Sequence, residues 1–280
     1  MHVVETIEEV RRLRRSLPGS WGLVPTMGYL HAGHLSLVQR ARAENDRVAV
    51  SIFVNPTQFG PNEDLATYPR DLPRDLELLR AADVDLVWAP PVSEMYPPGF
   101  QTYVTVEEVT RVLEGAARPI HFRGVATVVT KLFLVCQPDR AYFGQKDAQQ
   151  VVVVQQMVRD LGFPVQIVVC PTVREPDGLA LSSRNVYLTP EQRRAAPVLY
   201  RALRAAAEAW QRGEHDGECL RAIMRAVLSE EPLARIEYVS AADLHTLQEL
   251  GDTSQGVLLS LAVRIGRTRL IDNIRLEAGK

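Results

Sequence analysis

Pro25-Thr26-Met27-Gly28-Tyr29-Leu30-His31-Ala32-Gly33-His34-Leu35 is the stretch whose reading decides the fold. Trp21 to Val24, just before it, is apolar and reads as a short buried strand. After it, Leu35, Val38 and Ala41 alternate with polar residues as on an amphipathic helix. The stretch is therefore a strand-to-helix connection, with two glycines, two histidines and no acidic residue. A helix start presents unpaired backbone N–H groups and the positive end of a dipole, which suits a phosphate. Gly28 and Gly33 let the backbone approach closely, because no Cβ intervenes. His31 and His34 are three apart and share a helical face. Both can donate hydrogen bonds where charge builds up during displacement at phosphorus. The plain alternatives are a metal pair or two surface histidines. A metal pair lacks a third ligand in the loop, and surface histidines account for neither the glycines nor the strand–helix context.

Outward from this loop the pattern is α/β. Thr6-Ile7-Glu8-Glu9 is a capping box, with Ile7, Val10, Leu13 and Leu17 as the apolar stripe of a first helix. Arg47 to Val54 is apolar enough to be buried on both faces, as in a parallel sheet. It runs into Asn55-Pro56-Thr57-Gln58-Phe59-Gly60. Ligands of open α/β sheets sit at the carboxyl ends of the strands, so Asn55 and Gln58 are substrate-binding candidates. Both are neutral amides that donate and accept, which suits a ligand with hydroxyls and a carboxylate. Asn-Pro and Phe-Gly are also turn punctuation and explain Asn55 equally well; Gln58 has no turn role. Leu72 to Ala82 reads as a helix with Asp71 and Asp75 in its first turn, where carboxylates usually partner the dipole. Val84 to Ala89 and Gln101 to Val106 read as strands, and Glu107 to Leu113 as a short helix.

A second polar cluster, Arg118-Pro119-Ile120-His121-Phe122-Arg123-Gly124, precedes an almost wholly apolar helix over Val125 to Val135. Arg118, His121 and Arg123 suit either an anion at the helix start or surface ion pairs. The chain has 32 basic residues, yet lysine occurs only at 131, 146 and 280. A lysine kept in an arginine background points to a need for a compact ammonium. Lys131 interrupts the buried helix and reads as structural, paired or snorkelling; Lys280 is terminal. Lys146 follows the strand Arg140 to Gly144, within Gly144-Gln145-Lys146-Asp147-Ala148-Gln149-Gln150, and as a point charge at a helix start it suits a triphosphate. Asp147 reads as the N-cap of that helix and Gln150 as its capping-box partner, while Gln150, like Gln58, is a neutral amide near the crevice.

After a strand over Val165 to Val169 the composition becomes polar and turn-rich at Pro171 to Gly178. Leu181-Ser182-Ser183-Arg184 then places two hydroxyls and a guanidinium in one loop, which suits a lid over phosphates as well as an ordinary serine-rich loop. Thr189-Pro190 starts a long helix to about Gln211, a second runs from Asp216 to Leu228, and strands follow over Ile236 to Ser240, Val257 to Ile265 and Thr268 to Leu276, the last two joined at Gly266-Arg267. The expected architecture is a Rossmann-like parallel sheet with helices on both faces over residues 1–173, plus a smaller α+β domain over 174–280.

The composition bounds function. At 280 residues, 46% hydrophobic and 24% charged, the chain has the make-up of a soluble globular protein. A net charge of −2 predicts no bulk attraction to nucleic acid or to an anionic membrane. Cys136, Cys170 and Cys219 are odd in number and widely spaced, so they suggest neither a disulfide framework nor a metal spacing. No apolar h-region or membrane-length run is present, and a cytoplasmic setting is expected.

His-x-Gly-His after an apolar strand resembles the signature of the nucleotidyltransferase superfamily and class I aminoacyl-tRNA synthetases, and the Ser182-Ser183 loop resembles the lid loop that partners it there. Five strings in order make the chain more specifically similar to the pantothenate synthetase (pantoate–β-alanine ligase) family. They are Pro-Thr-Met-Gly-x-Leu-His-x-Gly-His, Ser-Ile-Phe-Val-Asn-Pro-x-Gln-Phe, His-Phe-Arg-Gly-Val, Gly-x-Lys-Asp-x-Gln-Gln and Arg-Glu-x-Asp-Gly-Leu-Ala-x-Ser-Ser-Arg-Asn. The resemblance implies a Rossmann-like ATP domain, a C-terminal lid, Mg²⁺ dependence and a homodimer. It implies that Met27, Gly28, Tyr29, Leu30, His31, Ala32, Gly33 and His34 line the ATP site, with His34 the catalytic acid. Gly144, Gln145, Lys146, Asp147, Val173, Leu181, Ser182, Ser183 and Arg184 would complete it. Gln58 and Gln150 would hold pantoate, with Gln58 near β-alanine. Leu181 stands where the family commonly has Met, and Gln145 where Glu is common; neither removes a charged phosphate ligand.

The expected reaction is attack of the pantoate carboxylate on the α-phosphorus of ATP, loss of pyrophosphate, then attack of the β-alanine amine on the adenylate. His31, His34, Lys146, Ser182, Ser183 and Arg184 would stabilise the developing charge. Asp75 is a weaker candidate for contact with a Mg²⁺ that travels with ATP. Two rivals are an adenylyltransferase that keeps the nucleotide in its product and a non-catalytic nucleotide sensor.

Overall fold

The computed structural model describes residues 1–61 and 63–278, so Lys280 lies outside it. The chain divides into two compact units: residues 1–144 with 150–171, and residues 145–149 with 172–280. No described helix is long and apolar enough to cross a membrane.

The first unit is a six-stranded, wholly parallel sheet of β1 (His2–Val4), β2 (Trp21–Thr26), β3 (Arg47–Ile52), β4 (Leu86–Trp88), β5 (Arg140–Gly144) and β6 (Gln166–Cys170), in the order β1-β4-β3-β2-β5-β6. The chain leaves β2 towards one edge through β3 and β4, and later returns to the other side of β2 through β5. The switch point therefore lies between β2 and β5, and the loop after β2 sits at the crevice such a reversal opens. The helices are α1 (Ile7–Ser16), α2 (Ala32–Glu44), α3 (Leu72–Ala81), α4 (Val92–Met95), α5 (Leu113–Ala117), α6 (His121–Cys136) and α7 (Ala148–Leu161). The capping box at α1 forms as expected, with Thr6 and Glu9 exchanging hydrogen bonds. Leu30, Leu37, Val38 and Ala41 of the β2–α2 segment pack with Val24, Val48, Val50 and Leu79, so the functional loop is rooted in the core.

The second unit contains α8 (Pro190–Ala195), α9 (Val198–Gln211), α10 (Gly217–Ser229) and an antiparallel sheet of β7 (Ala234–Ala242), β8 (Gly256–Ile265) and β9 (Thr268–Glu277). Its core places Leu199, Leu203, Leu220 and Met224 against Val257, Leu259, Leu261 and Val263. The Gly266-Arg267 turn makes the β8–β9 hairpin, with Ile265 paired to Thr268.

Several expectations are corrected. Gln101 to Val106 is not a strand: the Val104 N–H donates to the Thr127 hydroxyl of α6 at 3.0 Å, not to a sheet. Its alternating pattern satisfied the strand period without an edge to receive it. Glu107 to Leu113 is not one helix but a 3-10 turn over Glu108–Thr110 followed by α5, where the chain folds back so tightly that a Cβ on Gly115 would stand 1.9 Å from the Thr110 carbonyl. α6 starts at His121, four residues before the expected Val125, so His121 and Arg123 lie inside the helix. The long helix after Thr189 is two, because Pro197 has no N–H to continue the ladder and α9 begins after it. The expected helix start at Asp147 is a 3-10 turn, Gln145–Asp147, leading into α7. β1 has only three residues and is invisible to pattern reading.

Candidate active site

In the first unit, the β2–α2 loop holds its histidines by their inner nitrogens. His31 is the N-cap of α2; its Nδ1 accepts the Gly33 N–H at 3.1 Å, and His34 Nδ1 accepts the His31 N–H at 3.3 Å. The rings lie 4.1 Å apart, tilted by 41°. A nitrogen that accepts cannot carry the proton, so in each neutral ring the proton sits on Nε2. Each imidazole is thereby oriented as an Nε2–H donor at a helix N-terminus, where donors and dipole favour an anion.

The loop's shape is enforced from below. Tyr29 adopts φ +51° and Gly28 φ +82°. A Cβ on Gly28 would meet Ile52 Cγ2 at 3.0 Å and Asp75 Oδ2 at 3.1 Å, so glycine is required there by both space and backbone. The Gly28 N–H donates to Thr26 Oγ1 at 3.2 Å, and that hydroxyl donates to the Ser51 carbonyl. Asp75, in the first turn of α3 and 1% exposed, accepts the Tyr29 N–H at 2.7 Å on one carboxylate oxygen and the Leu30 N–H at 2.8 Å on the other. Burial pushes the Asp75 pKa up, while those two N–H groups and Arg74 pull it back. Asp75 is thus not simply a dipole partner, and the pair of N–H donors engages both oxygens that a cation would need. The residue was legible only as an acid at a helix start; its partners lie 45 and 46 residues away. Leu30, expected in the nucleotide site, has its side chain in the core and its N–H on the Asp75 carboxylate.

The second element is the turn after β3. Asn55 is 1% exposed and saturated: its Oδ1 accepts from the Thr57 N–H and hydroxyl and from the Tyr96 hydroxyl. Its Nδ2 donates to the Gly124 carbonyl at 3.1 Å and to Gln58 Oε1 at 3.0 Å. Because the carbonyl can only accept, Asn55 must turn its NH₂ that way, and Gln58 must answer with its oxygen. The Gln58 Nε2 then faces Met27 Sδ at 3.3 Å, a weak acceptor. The Gln58 amide donors therefore lie beside the His31–His34 loop.

The His-Phe-Arg-Gly segment explains itself here as a clamp on this turn. His121 Nδ1 donates to the Gln58 carbonyl at 3.0 Å, since that oxygen has nothing to donate. Burial, and then the nearby Arg118 charge, depress the His121 pKa to about 4, so the ring is neutral near pH 7. Arg118 pairs with Glu63 at 2.7 Å, and Arg123 stacks over Tyr103 at 3.9 Å. These contacts are those of the ion-pair alternative, with packing added. A Cβ on Gly124 would stand 2.5 Å from the Thr57 carbonyl, so α6 touches the turn backbone to backbone. Lys131 is structural: its Nζ donates to the Met95 carbonyl and lies 4.9 Å from the Phe100 ring centroid. Gln150 stands half-buried in the first turn of α7.

In the second unit, Lys146 lies in the Gln145–Asp147 turn, with Nζ 4.0 Å from Asp147 Oδ1. The Leu181 N–H donates to the Val173 carbonyl at 3.0 Å, bringing those two candidates together. Ser182 caps a 3-10 turn over Ser183–Tyr187 by accepting the Arg184 N–H, and Ser183 is buried. Among the described residues no group of three or more His, Cys, Asp or Glu converges as a cation site.

The model of the pantoate-beta-alanine ligase family matches residues 2–275. The chain belongs to that family. It is 69% identical over 274 residues to the pantothenate synthetase of Chloroflexus aggregans, covering 98% of this chain and 99% of that one. To the pantothenate synthetase of Roseiflexus sp. (strain RS-1) it is 67% identical over 278 residues, covering 99% and 100%. Among solved structures, pantothenate synthetase from Thermus thermophilus superposes with a TM-score of 0.94 at 55% identity, over 98% of this chain and 99% of that one. The pantoate-beta-alanine ligase of Francisella tularensis, solved with beta-gamma ATP and beta-alanine, gives 0.81 at 38% identity, over 100% and 99%. The family's sheet and its small C-terminal antiparallel sheet are those described above.

Proposed function

We propose that the protein condenses pantoate with β-alanine at the expense of ATP, through a pantoyl adenylate, releasing pyrophosphate and AMP. The observation that carries this reading is the Gln58 amide, fixed by Asn55 with its Nε2 against Met27 of the His31–His34 loop. A carboxylate held on that Nε2 stands next to a helix start built for phosphate. An amide that is neutral at every pH orients the acid without competing for the phosphorus.

In this reading the pantoate carboxylate displaces pyrophosphate at the α-phosphorus. The His31 and His34 Nε2–H groups meet the charge that develops on the phosphate oxygens, and His34 is the acid candidate for the leaving group. Lys146, Ser182, Ser183 and Arg184 are assigned to the phosphates, and Gly144, Gln145, Asp147, Val173 and Leu181 to the rest of the nucleotide. Gln150 joins Gln58 in holding pantoate. The neutral amine of β-alanine then attacks the acyl carbon, and AMP departs with both electrons of the broken acyl–oxygen bond. Magnesium is treated as part of the nucleotide substrate: a hard cation that keeps waters and phosphate oxygens as ligands suits a chain whose candidate carboxylate, Asp75, already accepts two N–H groups. Residues 174–280 as a lid domain, a homodimer and a cytoplasmic setting complete the proposal on family resemblance.

The test is product analysis with purified protein. Pyrophosphate should appear on adding ATP and pantoate, and free AMP and pantothenate only when β-alanine is also present. A nucleotide retained in the product, or ATP binding without pantoate-dependent pyrophosphate release, would overturn the reading.

A further inference from the structure

We propose that Asn273, on the last strand of the chain, is a positioning residue that sets the Lys146 turn for the triphosphate. The inference rests on the assignment of Lys146 to ATP made above.

Everything it uses lies in the second unit. Asn273 is 4% exposed, midway along β9, paired in register with Ser260 of β8. Its Nδ2 donates to two successive carbonyls, Lys146 at 2.9 Å and Gln145 at 3.0 Å, and its Oδ1 accepts from Gln145 Nε2 at 3.0 Å. One amide side chain thus grips the backbone of the turn on two peptide units and closes the ring through the Gln145 side chain. A carboxamide is the side chain that supplies two N–H donors and an acceptor from one planar group.

The neighbour in sequence serves the opposite face. Successive residues of a strand point to opposite sides. Asp272 pairs with Leu261, a core residue, and binds Arg174 through both oxygens at 2.6 and 2.9 Å. Arg174 also lies 3.9 Å from the Tyr200 ring centroid and donates to the Gly178 carbonyl. Asp272 therefore anchors the strand to the helical layer while Asn273 holds the Lys146 turn on the other face. Neither side chain could take the other's task. Carboxylate oxygens cannot donate to carbonyls, and an amide cannot satisfy a guanidinium on both atoms.

A residue that only stabilised the fold would affect every ligand alike. A residue that sets Lys146 should matter only for ligands carrying the phosphates that the ammonium reaches. The experiment measures ATP and AMP affinities by titration calorimetry for wild type, Asn273→Asp, Asn273→Ala and Lys146→Ala, with folding checked by circular dichroism. Both Asn273 variants should weaken ATP about tenfold and change AMP by less than about twofold, in the pattern of Lys146→Ala. The alanine variant keeps the test open should the aspartate, which sets negative charge against two carbonyls, fail to fold. Equal losses for ATP and AMP, or no loss for either, would overturn the positioning role while leaving Lys146 intact. A Lys146→Ala protein with an unchanged ATP-to-AMP ratio would remove the lysine assignment, and this proposal with it.

Discussion

Replacing Asp75 with Asn should cost about a hundredfold in turnover without unfolding the protein. The carboxylate accepts the Tyr29 N–H at 2.7 Å and the Leu30 N–H at 2.8 Å. Hydrogen bonds to a charged acceptor contribute about 1.5–3 kcal/mol each. Asparagine keeps one acceptor and turns an NH₂ toward the other N–H, so one bond of that size is lost and a donor–donor contact replaces it. Tyr29 sits at φ +51°, a conformation that costs a non-glycine residue about 1–3 kcal/mol. With its N–H released, the residue relaxes to negative φ, and His31, two positions on, moves with it. A displacement near ~1 Å at a reacting centre costs about 10²-fold. The assay is pantoate-dependent pyrophosphate release under saturating ATP, with thermal unfolding in parallel. Tyr29→Gly in the same background should return part of the lost rate, because glycine holds positive φ without strain. Wild-type turnover in Asp75→Asn would refute the reasoning, as would no recovery in the double variant.

Gln58→Ala should raise the pantoate dissociation constant with ATP affinity unchanged; an unchanged pantoate constant would remove its assignment. His34→Ala should reduce turnover far more than ATP affinity, the mark of an interaction made in the transition state, and equal losses would contradict it. His121 titrates at about 4 instead of 6.5, held down by burial and Arg118 against Glu114, Glu63 and its bond to the Gln58 carbonyl. At about 1.4 kcal/mol per pH unit the difference comes to about 3 kcal/mol. The folded state binds the proton less readily, so stability should be fully present above pH ~6.5 and be lost as the pH falls towards ~4; denaturant unfolding at pH 7 and 4.5 should show a smaller drop in His121→Asn. Gly124→Ala sets a methyl 2.5 Å from the Thr57 carbonyl, and should destabilise by about 1–3 kcal/mol and weaken pantoate binding by shifting the Gln58 turn.

Much of the first unit was legible because parallel strands are apolar throughout and each is followed by a strong helix signal. The strands expected over Trp21 to Val24, Arg47 to Val54 and Arg140 to Gly144 are present as Trp21–Thr26, Arg47–Ile52 and Arg140–Gly144, their starts as expected and two of their ends shifted by two residues. Failures came where local pattern and tertiary context disagreed. Tyr103-Val104 has strand composition, but its backbone bonds to Thr127; Pro197 divides a helix whose apolar stripe runs on through it. The histidines could be placed at a helix start from sequence, yet not the detail that both Nδ1 atoms accept backbone N–H groups, which sets the tautomer. Asn55 looked like either a turn residue or a ligand; it is a hub whose partners, Tyr96 and Gly124, are 41 and 69 residues away. Such long-range pairings leave no periodic trace.

The residues that hold the candidate groups in place are chosen by the polarity of the backbone they meet. The β2–α2 loop offers N–H groups at Tyr29 and Leu30, and an acid answers them. The Gln145-Lys146 turn offers carbonyls, and an amide answers those. Aspartate and asparagine have nearly the same shape, so exchanging them leaves packing almost unchanged and reverses only what is donated and accepted. At a position that merely fills space such an isosteric exchange costs little. Here Asp75→Asn puts a donor against a donor, and Asn273→Asp puts one acceptor oxygen against two carbonyls, in sites too buried for water to repair the mismatch. The losses expected from these two exchanges are therefore electrostatic and local, and they should appear at the loop each residue grips before they appear in the unfolding temperature.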